Sequence, residues 1–142
     1  MQAGLDLDEQ AFQNLTKNLG SFPRGFRNKI EAAGLKAMAD ETARVAQQTT
    51  LFSDVSGRLR RSIRSARRRL KRGAPKPRGL AVVVVGSKRA YYGLFVHGGY
   101  GKGNRPRPFL TEALDQVQPR LLQIGKRAMV AGFRELQATL RR

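Results

Sequence analysis

The chain has no cysteine, no tryptophan and one histidine, His97. Without cysteine there are no disulfides and no thiolate metal sites, and a reducing cytoplasm suits its synthesis. A lone histidine lacks the convergent ligands that a metal site needs, so His97 reads as an ordinary polar residue at a loop edge. Long apolar runs are also missing. The valine run ending at Val85 is strand-sized, far short of the roughly 20 residues that span a bilayer, and no membrane partner is expected. The opening residues Met1-Gln2-Ala3-Gly4-Leu5-Asp6 show no basic stretch followed by an apolar one, so no signal peptide is expected.

Negative charge is scarce where positive charge is dense. No carboxylate occurs from Val55 to Thr111. The same interval holds Arg58, Arg60, Arg61, Arg64, Arg67, Arg68, Arg69, Lys71 and Arg72 in close succession. The formal net charge is +18, which attracts polyanions and makes copies of the chain repel one another. Three readings of the Arg cluster stay open. It can contact phosphates, pair with an acidic surface on a partner protein, or form a solvated face. No aromatic residue lies between Ser53 and Val85, which argues against base stacking in that run.

The length, 142 residues, suits a single domain spanning 1–142. There is no internal repeat. Asp6 to Leu19 predicts a short helix with Phe12, Leu15 and Leu19 on one face and acids in its first turn. Pro23 to about Gln48 predicts a longer one, with Ser21 as N-cap. Its Ala-rich stripe, Phe26, Ile30, Ala33, Ala37 and Val45, invites a close helical neighbour, and Asp40 and Arg44 can pair across one turn. Leu59 and Ile63 fit a helix or a strand equally well. Leu80 to Val85 predicts a strand covered on both faces. Ala90 to Val96 fits a strand or a short helix. Pro108 opens a long helix, with a kink or break expected at Pro119. Together these predict an α+β fold, in which an N-terminal helix pair and a long C-terminal helix pack a small sheet. Segments 64–79 and 98–107 read as flexible basic loops. Phe95, Phe109, Leu110 and Leu114 are the expected core anchors.

Catalytic patterns are weak. Gly98-Gly99-Tyr100-Gly101-Lys102-Gly103-Asn104 fails as a phosphate loop, because Gly103 follows the lysine and no glycine stands five residues before it. No cofactor and no enzymatic activity are expected.

Three motifs occur in a telling order. Ser56-Gly57-Arg58-Leu59-Arg60-Arg61-Ser62-Ile63 comes first. Ala90-Tyr91-Tyr92-Gly93-Leu94-Phe95-Val96-His97-Gly98-Gly99 follows, and Arg107-Pro108-Phe109-Leu110-Thr111-Glu112-Ala113-Leu114 comes last. This succession, from about Leu7 to Leu122, resembles the phage tail-component family of long-tailed phages, whose members act as tail-completion, tail-terminator or head–tail joining proteins. His97 stands where that family often has Glu, and Gly99-Tyr100 replaces Gly-Thr. The resemblance implies a homo-oligomer, a hexameric ring at the neck of a virion, assembled in the host cytoplasm. Its partners would be the tail tube protein and the head–tail connector proteins, with non-specific contact to genome DNA possible. Arg60, Arg61, Arg64, Arg67, Arg68, Arg69, His97, Tyr100, Lys102 and Arg105 are the expected subunit or ring contacts. The alternative is a basic nucleic-acid-binding protein.

Overall fold

A computed structural model describes residues 2–67, 81–84, 93–99 and 105–141. Helix α1 spans Gln2–Asn18 and is followed by a 3-10 turn, Leu19–Ser21. Then come α2 (Arg24–Gln47), α3 (Arg58–Ser62), strands β1 (Arg64–Arg67) and β2 (Ala81–Val84), α4 (Gly93–Gly98) and α5 (Phe109–Leu140). The described residues are thus mainly helical, and the α+β expectation is overturned. The only sheet among them is the antiparallel pair β1–β2, with Arg64 opposite Val84 and Arg67 opposite Ala81. The valine run does form a strand, and β1 is its one neighbour among the described residues.

The chain groups into two compact units, and α2 and α5 each contribute to both. The first takes in Met1–Met38 and Arg120–Arg142. Its core is Leu15, Ile30 and Val130, surrounded by Phe12, Phe22, Phe26, Met129 and Phe133. Phe22 stacks on Phe26 at 5.2 Å and leans on Phe133 at 5.5 Å. Such pairs add to the area that aromatic rings bury. Lys126 ion-pairs with Glu9 at 3.1 Å and lies over the Phe12 ring.

Small residues let α2 and α5 approach closely in this unit. A Cβ placed at Gly34 would stand 2.7 Å from Met129 Cγ and 3.2 Å from the Gly125 carbonyl oxygen. Met129 could swing aside, but the carbonyl belongs to a helix and cannot. The Ala-rich stripe of α2 thus finds the close neighbour it invites.

The second unit takes in Ala39–Ala74 and Ala81–Pro119. Ala43, Ala46, Phe52, Leu59, Ile63, Phe109 and Ala113 form its core. On α2 the buried positions Ala39, Thr42, Ala43 and Ala46 keep the spacing of one helical face. On α5 they are Phe109, Ala113 and Val117, spaced by four. Phe52 meets Phe109 edge to face at 4.9 Å.

Several expectations need correction. Helix α1 begins at Gln2, so Asp6, Asp8 and Glu9 lie past its first turn. Ser21 does not cap α2; its hydroxyl donates back to the Asn18 carbonyl at 2.6 Å. Arg44 pairs with Glu41 at 2.6 Å, while Asp40 accepts the Ser65 hydroxyl. Helix α5 runs through Pro119 with no break into two helices. Pro119 and Asp115 are both exposed, so water can take the carbonyl that proline cannot serve. Leu114 is no core anchor. It sits one position round from the Ala113 stripe and is 47% exposed. Leu110 is half-buried, and the side chain of Phe95, in α4, lies outside the described set. Of the two expected loops, 64–67 is strand, and Gly98 ends a helix. Segments 68–80 and 100–104 lie outside the described residues.

Two substitutions check this packing by urea denaturation. Phe109→Ala should cost about 3–5 kcal/mol, because the ring is fully buried. Gly34→Val should cost about 1–3 kcal/mol by overpacking the helix contact, although valine is the better helix former.

Candidate interaction surface

The segment between α2 and α3 is short of regular structure but rich in bonds. Asp54 organises it. Its carboxylate accepts the Arg60 backbone N–H at 2.8 Å and the Ser56 hydroxyl at 3.4 Å, and its carbonyl accepts the Gly57 N–H at 3.2 Å. Ser56 in turn accepts the Arg58 N–H through its hydroxyl oxygen at 3.3 Å. The first N–H groups of a helix have no partner within it, and these side chains supply two. Gly57 has φ of 65°, a left-handed conformation that side chains rarely adopt. Leu59 and Ile63 then point into the core at 1% and 0% exposure, and the buried Ser62 hydroxyl donates to the Leu59 carbonyl. Ser56, Gly57, Leu59, Ser62 and Ile63 of this motif therefore each have a structural duty.

Arg60 closes the segment onto α2. Its guanidinium donates to the Gln47 carbonyl at 2.5 Å and to the Phe52 carbonyl at 3.0 Å. It also covers the Phe52 ring, 4.9 Å from the centroid. Gln47 is the last residue of α2, where carbonyls lack helical partners and the dipole is negative. A fixed cation satisfies both needs. The Gln47 side-chain amide donates in parallel to the Ile63 carbonyl at 2.6 Å.

The residues expected at contacts thus separate. Arg60 is committed to its own fold. Arg61 is exposed and donates to the Ser56 carbonyl at 2.9 Å. Arg64 and Arg105 are exposed. Arg67 lies in β1, with its side chain outside the described set. Arg68, Arg69, Tyr100 and Lys102 lie outside the described residues. His97, in α4, stands edge-on to Phe109 at 5.4 Å, and its buried Nε2 has no hydrogen-bond partner among the described residues. This is a core-edge position, not a loop.

Two residues passed over in the sequence matter as much. Val55, within the bonded segment, is fully exposed, and Leu51, four residues earlier, is 37% exposed. Arg58 is exposed just beyond. Apolar residues in a polar connection carry no periodic signal, so spacing could not single them out. Among the described residues no group of three or more His, Asp or Glu could hold a metal ion, and no helix is long and apolar enough to cross a membrane. Arg58, Arg61 and Arg64 thus stand exposed in the same stretch of chain as the exposed Val55.

The two kinds of arginine should separate in denaturation. Arg60→Met should cost about 2–3 kcal/mol, since two carbonyls lose a charged donor. Arg61→Ser or Arg64→Ser should stay within about 0.5 kcal/mol of the parent, as exposed charges do.

No curated protein and no solved structure matches the chain. Residues 13–99 match the family described as "Bacteriophage HK97-gp10, putative tail-component". The match takes in α2, the bonded segment, α3 and α4, and stops before the Arg107–Leu114 motif. Since it spans more than half of the chain, the protein belongs to this family of bacteriophage tail components.

Proposed function

We propose that the chain forms a ring at the head–tail junction of a long-tailed phage or phage-like particle, terminating or completing the tail and joining it to the head. The family match over residues 13–99 carries this reading. A phage tail component is a structural part of a virion and works against other tail proteins. The rest follows from charge and exposure. A subunit of net charge +18 needs acidic neighbours, and oppositely charged rings dock faster and in a fixed orientation. DNA must pass the opening of such a ring. A bore lined with arginine would hold phosphates and slow that passage, because each neutralised phosphate adds affinity through counterion release. Most of the Arg-rich segment therefore faces an adjoining protein ring or the outer surface, not the bore. Assembly takes place in the host cytoplasm, with the tail tube protein below and the connector above.

The net charge also favours a second reading, a basic nucleic-acid-binding protein. The two separate by native mass and by salt. The ring reading expects a hexamer in the absence of DNA. The second expects a monomer or dimer whose DNA affinity falls steeply as salt rises.

Replacing Arg67, Arg68 and Arg69 together with Ser should leave the isolated chain folded and yield heads and tails that fail to join, scored by electron microscopy of lysates. Normal infectious particles would remove the docking role. Joined particles that lose DNA would assign the charge to the bore.

A further inference from the structure

Helix α5 carries its arginines in a line. Arg120, Arg127 and Arg134 are seven residues apart, and Arg141, seven further on, follows the last helical residue. All four are exposed. Seven residues make close to two turns, so these side chains share one face and recur about every 10.5 Å along it. Between them on that face the exposed residues are Gln123, Ala131 and Ala138, which carry no charge. The two alanines are too short to shield the guanidinium groups. No carboxylate occurs from Gln116 to Arg134, and Glu135 lies about 100° round the helix from Arg134, off the line. Arg120 to Arg141 belongs wholly to the first unit.

A solvated helix face ordinarily mixes signs, because opposite charges three or four residues apart support the helix. The helix dipole favours Arg141 at the C-terminus, but it acts over the last turn and does not account for Arg120 or Arg127. Exposure rules out packing. A partner of opposite charge accounts for the whole line.

The shape of the line selects that partner. A helix lying in a DNA groove meets phosphates on both walls, and each strand winds fully round the axis within about 34 Å. Cations serving DNA would therefore spread over two sides of α5, whereas these keep to one. Carboxylates at every seventh residue of a second helix recur at the same interval of about 10.5 Å, and two helices sharing that repeat stay in register by coiling gently about each other. Glu9 of α1 already makes one contact of this kind, reaching Lys126, the residue beside Arg127, at 3.1 Å. No two carboxylates of this chain are seven residues apart, so a second copy cannot supply the match.

We infer that the line Arg120–Arg127–Arg134–Arg141 docks an acidic helix of a different protein, one with carboxylates at seven-residue intervals. Guanidinium–carboxylate pairs along such a line fix register and direction more than they add affinity. The contact stands on α5 alone and does not depend on the chain forming a ring.

Two labelled helical peptides of identical composition test it. One has Glu at every seventh position, and in the other the same residues are shuffled so that Glu falls on all sides. Fluorescence anisotropy with the full chain at low salt should show the regular peptide binding about five-fold tighter or more. Arg127→Gln with Arg134→Gln should abolish that preference. Arg58→Gln with Arg61→Gln removes the same net charge elsewhere and should leave it intact. Glutamine keeps the helix propensity of arginine, and circular dichroism with a thermal melt checks that both variants keep the parent fold. Equal binding of the two peptides would reduce the effect to general attraction by a +18 chain and overturn the inference. A preference that survives the α5 substitutions would overturn it as well. A DNA duplex that displaces the regular peptide, and binds less well to the Arg127/Arg134 variant than to the parent and the Arg58/Arg61 variant, would assign the line to nucleic acid instead.

Discussion

The Arg60 guanidinium is the point on which the second unit depends. It ends α2 by filling the Gln47 carbonyl, fixes the next segment through the Phe52 carbonyl, and shields the Phe52 ring. Phe52 lies against Phe109, the first residue of α5, so the same cation helps to set where the longest helix begins. Arginine suits this post better than lysine. Its planar fork serves two carbonyls at once and still presents a face to an aromatic ring, whereas an ammonium is a point charge. Remove the fork and the carbonyls at the end of α2 must find water beside a packed phenyl ring.

That post is filled from within a run of arginines that composition alone treats as equivalent. Arg58, Arg60 and Arg61 differ by one or two positions in a single turn of helix, yet Arg60 is half-buried and bonded inward while the others face solvent. The Arg-rich stretch therefore does two jobs. One residue is structural, and its neighbours supply surface charge. A patch of like charge is tolerable on a folded chain because each exposed guanidinium keeps its hydration, and Arg60 leaves water only by gaining two carbonyls.

Helix α5 was legible because its apolar spacing is strong, and the valine strand because four β-branched residues in a row favour extension. The α+β class was not. A strand signal says nothing about how many partners the strand finds, and here one short partner is described. Leu59 and Ile63 fitted helix and strand equally well, and the structure uses both: α3 ends at Ser62 and β1 starts at Arg64. Leu114 misled because a leucine in a helical period looks like core, while the smaller Ala113 beside it takes the buried position. Phe52 and Val55 were illegible for the opposite reason. They lie in a non-periodic segment, and only the bonds from Asp54 and Arg60 decide which is buried and which is presented.

Charge sets the conditions under which such subunits can assemble. Copies carrying +18 repel over tens of ångströms, and that repulsion is what salt screens most, because the Debye length is about 8 Å at physiological ionic strength. Arginine and carboxylate in direct contact lie well inside that distance and are screened less. Burial of apolar surface between subunits is not weakened by salt, and sulfate or phosphate strengthens it. Moderate salt should therefore help this chain to self-associate. Binding to DNA has the opposite sign, since added salt opposes the release of counterions on which it depends. The direction in which association responds to salt thus distinguishes a ring subunit from a nucleic-acid binder, even though the same net charge underlies both.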